Sequence, residues 1–128
     1  MLWIYIGLAG ALGAALRLLL SAALQQAPLF ALPWGTLLCN WTGCLLLGIA
    51  AYHPALAEHP RLRTAVTTGL IGSFTTFSTF SVELLTLLEA GRLPTAALYM
   101  LLSAVGGLLL VRSGRTFQFA RWKRGFDD

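Results

Sequence analysis

Polar residues are sparse along the chain and fall mainly between four apolar stretches, near Leu2–Leu24, Trp34–Tyr52, Leu62–Leu88 and Pro94–Val111. Each approaches the roughly 20 residues that a helix needs to cross a bilayer. The pattern predicts an all-α integral membrane subunit of four helices. Residues 1–111 form the membrane domain and residues 112–128 a basic C-terminal tail. In the first span Gly7, Gly10, Gly13 and Ala14 make a small-residue face that lets another helix approach closely. An uncharged connector leads to Pro33, which suits the first turn of the second span. The short link AGRLP predicts that the third and fourth spans pair antiparallel. With an even number of spans, both termini lie on one side.

Composition agrees with a membrane protein. Hydrophobic residues make up 57% of the chain, charged residues 11%, and the mean hydropathy is +0.74. A soluble domain carries about a quarter charged residues. The first apolar stretch lacks a basic leader, meets Arg17 late and precedes three more spans, so a retained helix is expected rather than a signal peptide. Cys39 and Cys44 point to different faces of one helix and read as packing residues. His53 and His59 share a loop with Glu58 at no metal-ligand spacing.

The formal charge is +4, and most of it lies in the tail. A basic run beside a span is a topology signal and an attraction for anionic lipid, not a nucleic-acid footprint. The terminus side carries Arg61, Arg63, Arg112, Arg115, Arg121, Lys123 and Arg124, whereas the opposite side carries Arg92. The positive-inside rule then places both termini in the cytoplasm of a cell whose inner (plasma) membrane holds the protein.

Three side chains are costly at bilayer depth: Arg17, Asn40 and Glu83. Arg17 can snorkel to an interface or line a vestibule. Glu83 suits a vestibule or the headgroup level, and an Arg17–Glu83 pair is conceivable. Asn40 can glue two helices together or donate to an anion.

The stretch GLIGSFTTFSTFSVE, residues 69–83, is the most unusual in the chain. Ser73, Thr75, Thr76, Ser78, Thr79 and Ser81 supply hydroxyl donors, and Phe74, Phe77 and Phe80 recur at every third position. Hydroxyls in a span commonly bond back to the preceding turn, but six between residues 73 and 81 exceed what that role needs. Ser, Thr and Phe are mediocre helix formers, and here they follow Gly69 and Gly72. A helix break is expected, with its freed N–H groups and hydroxyls suited to an anion and its freed carbonyls to a cation. Ring edges carry partial positive charge and add to the anion's coordination.

The segments LGAALR (12–17), PWGTLLCN (33–40) and TTGLIGSFTTFSTFSVE (67–83) resemble, in order, the Fluc/CrcB family of fluoride channels. The resemblance reaches to about Val111. It implies an antiparallel dimer of four-helix subunits with two fluoride pathways along the interface and a broken third span. By motif position, Na⁺ at the dimer centre would be held by the backbone carbonyls of Gly72 and Thr75. The pathway would use Asn40, the rings of Phe77 and Phe80, and the hydroxyls of Ser78, Thr79 and Ser81. Tyr99 and Ser103 match a polar track on the fourth span, whose next position here is Gly107. Arg17 and Glu83 would be vestibule residues.

The implied function is passive export of cytoplasmic fluoride. A homodimer is expected, but the lopsided Lys/Arg distribution also suits a heterodimer with an oppositely oriented paralogue. A small four-span dual-topology cation or drug exporter is the alternative. Such a transporter relies on an acidic residue in its first span, where this chain has Arg17. A non-transporting accessory subunit would leave the hydroxyl and phenylalanine run unexplained. An enzyme is not expected, because no nucleophile–base pair or metal constellation is visible.

Overall fold

The computed structural model describes residues 1–24 and 32–124, with side chains through residue 118. The connector at 25–31 and the side chains of Arg121, Lys123 and Arg124 lie outside the described residues. The described chain is helical, with no strand. Helix α1 spans Leu2–Leu24 and α2 spans Trp34–Ala51; the short α3 (Pro54–Ala57) and α4 (Pro60–Thr64) follow. A π-helical stretch, Ala65–Ile71, then leads into α5 (Gly72–Phe74), α6 (Phe77–Glu89) and α7 (Leu93–Arg124). Four segments are long and apolar enough to cross a membrane: Leu2–Leu24, Trp34–Ala51, Pro60–Glu89 and Leu93–Gln118. The protein is a multi-pass membrane protein.

Local chemistry explains the boundaries. Pro33 sits just outside α2, where its carbonyl accepts from the Leu37 N–H at 3.1 Å. The loop after α2 is itself helical, because Pro54 and Pro60 each stand at a first helical position and fix φ there. The third span therefore begins at Pro60. At its far end Gly91 takes φ +69°. That left-handed turn lets the Gly91 and Arg92 N–H groups donate to Leu88 and Leu87 carbonyls at 3.0 and 2.9 Å. Helix α7 does not stop near Val111 but continues through Arg124, with no proline after Pro94 to interrupt it.

The main partner of α7 is α2 rather than the third span. Small residues explain the choice. A Cβ at Gly48 would overlap the Val111 carbonyl, and one at Gly114 would meet Leu45, Gly48 and Ile49 backbone. Gly106 lies against the Trp41 indole, whose Nε1 donates to the Leu102 carbonyl at 2.9 Å. Contact between α6 and α7 centres on Phe80, Glu83 and Tyr99. Helix α1 packs on the π-helical stretch through Gly13, where a Cβ would overlap the Leu70 carbonyl. Gly10 lies near Ser73, whereas Gly7 faces open space. Leu8, Leu12, Leu18 and Leu19 remain exposed, which suits a surface solvated by lipid. The buried core is small and centres on Leu37, Leu87, Ala96 and Tyr99.

Candidate functional site

Between α5 and α6 the backbone leaves helical geometry for two residues. Thr75 takes φ −81°, ψ 156° and Thr76 takes φ −146°, ψ 121°. Two extended residues free backbone polar groups that lipid cannot satisfy, and side chains from α1 and α2 reach several of them. The Thr76 N–H donates to Asn40 Oδ1 at 2.8 Å, and Asn40 Nδ2 donates to the Thr76 carbonyl at 3.0 Å. From α1, Arg17 Nε donates to the Ser73 carbonyl at 3.2 Å. Gly43, three residues after Asn40 on α2, leaves room for the Thr75 methyl, which a Cβ there would overlap. One face of α2 thus holds both extended residues.

Thr76 also starts α6. Its Oγ1 accepts from the Thr79 N–H at 3.1 Å, and it lies 3.0 Å from Thr79 Oγ1 and 3.3 Å from Ser78 Oγ. This hydroxyl cluster stands at a helix N-terminus, where the backbone dipoles favour negative charge. Ser81 Oγ donates to the Phe77 carbonyl at 2.9 Å and Thr75 Oγ1 to the Ile71 carbonyl at 3.1 Å. For those two side chains the back-bonding discounted from the sequence is what the structure contains. Phe77 is 80% exposed. Its ring centroid lies 5.9 Å from that of Phe80, which lies 5.1 Å from Tyr99.

Glu83 does not pair with Arg17. Its Oε1 accepts from Thr36 Oγ1 at 2.9 Å and its Oε2 from Tyr99 Oη at 2.7 Å. Tyr99 is fully buried and Thr36 nearly so. The carboxylate therefore ties α2, α6 and α7 together, one donor to each oxygen. Thr36 carries a role that the sequence reading did not give it. The available signal was its spacing: four residues before Asn40, it shares that residue's face of α2.

A groove beside the interruption gathers Asn40, Gly72, Thr75, Phe77, Phe80 and Ser103. Cys44 lines it too, next to Gly107, where a Cβ would come within 3.3 Å of its sulfur. Arg17, Ser78, Thr79, Ser81, Glu83 and Tyr99 do not line this groove. The Ser103 hydroxyl oxygen is buried and has no hydrogen-bond partner, alone in this among the described side chains. Asn40 keeps one amide N–H beyond the one given to Thr76, since its nitrogen carries two. Thr67 and Thr76 also line the groove, the rest of its lining is apolar, and Phe77 is its most exposed large side chain. Among the described residues no three His, Cys, Asp or Glu side chains come together, so a cation here would be held by neutral oxygens. The Gly72 carbonyl has only a long contact, 3.4 Å, from Thr75 Oγ1.

Comparison with known proteins gives consistent relationships. Residues 4–115 match the family model described as CrcB-like protein, Camphor Resistance (CrcB). The chain is 44% identical over 116 residues to the fluoride-specific ion channel FluC 2 of Geobacillus kaustophilus, covering 89% of this chain and 90% of that protein. It is 40% identical over 129 residues to FluC 2 of Listeria innocua, covering 98% and 96%. To FluC 1 of Moorella thermoacetica it is 39% identical over 116 residues, covering 89% and 83%.

Proposed function

The chain belongs to the CrcB family, and from that membership and the groove beside Thr75–Thr76 we propose that it is a fluoride-selective channel of the plasma membrane. Passive export of cytoplasmic fluoride is the physiological role. Relatives named as fluoride-specific ion channels match nearly the whole chain. The observation that carries the reading is the unpartnered Ser103 hydroxyl in a groove shared with a spare Asn40 N–H and two phenylalanine rings.

Fluoride is compact and strongly hydrated, so its dehydration is offset only by several short donors acting together. Asn40 and Ser103 supply donors, and the edges of Phe77 and Phe80 present partial positive charge. The hydroxyls of Thr76, Ser78 and Thr79 hold the α6 N-terminus, whose dipole favours an anion nearby. The larger chloride fits such a path poorly. Glu83, Tyr99 and Thr36 form the next polar group beyond Phe80, and Arg17 fixes the other side of the interruption.

One subunit leaves the groove open, with Phe77 projecting from it. A second subunit in antiparallel orientation closes the pathway. It is a second copy of this chain or an oppositely oriented paralogue. The carbonyls of Gly72 and Thr75 fit a sodium ion at the dimer centre, because both residues line the groove and the Gly72 oxygen is weakly engaged. When bound, that cation supplies fixed positive charge near the pathway. The cation-exporter reading is not favoured, since the first span carries Arg17 where such a transporter relies on an acidic residue, and Glu83 of the third span is held by Thr36 and Tyr99.

The test is efflux from liposomes read with a fluoride electrode. Rapid fluoride release with chloride retained is expected from this chain, alone or with a sister subunit. Vesicles that keep their fluoride in both arms end this reading.

A further inference from the structure

At the end of the molecule near the terminus of α2, cations from separate elements converge. Arg63, at the end of α4, donates from Nη2 to the Ala51 carbonyl at 2.9 Å. Arg115, on α7, lies over the Tyr52 ring at 5.1 Å. Two guanidinium groups, 52 positions apart in sequence, are thus anchored on consecutive residues of α2's end. Arg61 and Arg112 lie two and three residues before them in sequence, and all four are exposed. Neither Arg61 nor Arg112 has a side-chain partner among the described residues. Among the described residues Glu58 is the acidic residue at this end, with His53 and His59 near it in sequence. The opposite end carries Arg92.

Helix α7 takes this chemistry beyond the hydrocarbon. Its 32 residues extend about 48 Å at the usual rise, against a hydrocarbon core of about 30 Å. Gly114 still packs on α2, and the helix runs on past Arg115 and the exposed Phe117. Arginines together with aromatic side chains at a membrane boundary match the headgroup layer. A guanidinium that gives one N–H to a carbonyl keeps others in a planar fork suited to a phosphate. Anchoring on Ala51 and Tyr52 also lowers the ordering cost of binding.

We propose that Arg61, Arg63, Arg112 and Arg115 form a seat for the phosphate headgroup of an anionic phospholipid, with Arg63 and Arg115 as its fixed centre. The occupant is lipid rather than free phosphate, because the seat borders the apolar surface of α2 and α7, where acyl chains lie. The site is separate from the groove and makes no use of fluoride.

The experiment is native mass spectrometry of the detergent-purified full chain, titrated with phosphatidylglycerol and with phosphatidylcholine. Preferential retention of phosphatidylglycerol is expected. Arg61→Gln/Arg112→Gln should weaken that retention by about fivefold for each arginine removed, a fold of about 1 kcal/mol per charge. Both side chains are exposed, with no hydrogen bond or ion pair among the described residues, so the pair should elute and unfold like the parent. Arg63→Gln/Arg115→Gln should weaken retention at least as much. Arg92→Gln, at the other end, should leave it unchanged. Equal retention of the two lipids by the parent overturns the proposal. So does undiminished preference in both double variants, or an equal loss in Arg92→Gln. Displacement of phosphatidylglycerol by equimolar glycerol phosphate overturns the lipid assignment in favour of a free-phosphate site.

Discussion

Asn40 holds Thr76 at both backbone polar groups, accepting its N–H at 2.8 Å and donating to its carbonyl at 3.0 Å. A single side-chain amide therefore replaces the two hydrogen bonds that an unbroken helix would have given this residue. Within a span, this contact makes the extended backbone tolerable. Asn40→Asp keeps an acceptor for the N–H but sets a carboxylate against the Thr76 carbonyl. The variant should lose about 1–3 kcal/mol of stability, the cost of an unsatisfied buried polar group. Thermal unfolding in detergent, read beside fluoride efflux, checks this. An Asn40→Asp protein as stable as the parent would show that the clamp does not hold the interruption.

Gly43 and Thr75 give a more specific test. A Cβ at Gly43 would overlap the Thr75 methyl, and Thr75 is β-branched beside an extended peptide, so it has little room to yield. Gly43→Ala should destabilise the protein by about 1–3 kcal/mol through overpacking. Thr75→Ser removes the methyl and keeps the hydroxyl that donates to Ile71. The double variant Gly43→Ala/Thr75→Ser should recover most of the lost thermal stability. No recovery would mean that the penalty at Gly43 has another source.

Much of this architecture is legible in the sequence, for identifiable reasons. Four spans follow from hydrophobic length, and Asn40 and the dense hydroxyl run stand out as polar groups within apolar spans, whereas Gly72 and Thr75 are singled out as carbonyl ligands by motif position alone. Partner choice is less legible. The short connector at Ala90–Arg92 suggests that the third and fourth spans pair, but Gly48, Gly106 and Gly114 let α7 press closer to α2. Periodicity shows a small residue and does not say which helix will use it. Arg17 and Glu83, of opposite charge, invite pairing, yet one meets a carbonyl and the other two hydroxyls. The end of α7 is illegible for a simpler reason: hydropathy falls after Val111, but no proline marks a stop there.

The Glu83 carboxylate predicts coupling between Thr36 and Tyr99, which donate to its two oxygens. Thr36→Val and Tyr99→Phe should each lose about 1.5–3 kcal/mol, as expected for a hydrogen bond to a charged group. Their combination should depart from additivity by at least about 0.5 kcal/mol, because each donor steadies the carboxylate for the other. Unfolding midpoints of the four proteins in one detergent complete the cycle. Strict additivity would show that the two donors act independently.

Phe77 and Phe80 should separate transport from stability. Phe80 is half-buried, 5.1 Å from the Tyr99 ring centroid and packed against the small core. Phe80→Ile therefore removes an aromatic contact as well as a ring edge, and should lower thermal stability by about 0.5–1.5 kcal/mol while cutting fluoride flux. Phe77 is 80% exposed at the rim of the groove, so Phe77→Ile removes a ring edge with little packing behind it. Its unfolding midpoint in monomer-stabilising detergent should match the parent, and its fluoride efflux should fall at least tenfold. Because efflux and unfolding are read on the same preparations, a folding defect cannot pass for a transport defect. Parent-like efflux from Phe77→Ile would take its ring out of the pathway and leave Asn40 and Ser103 to carry the anion without it.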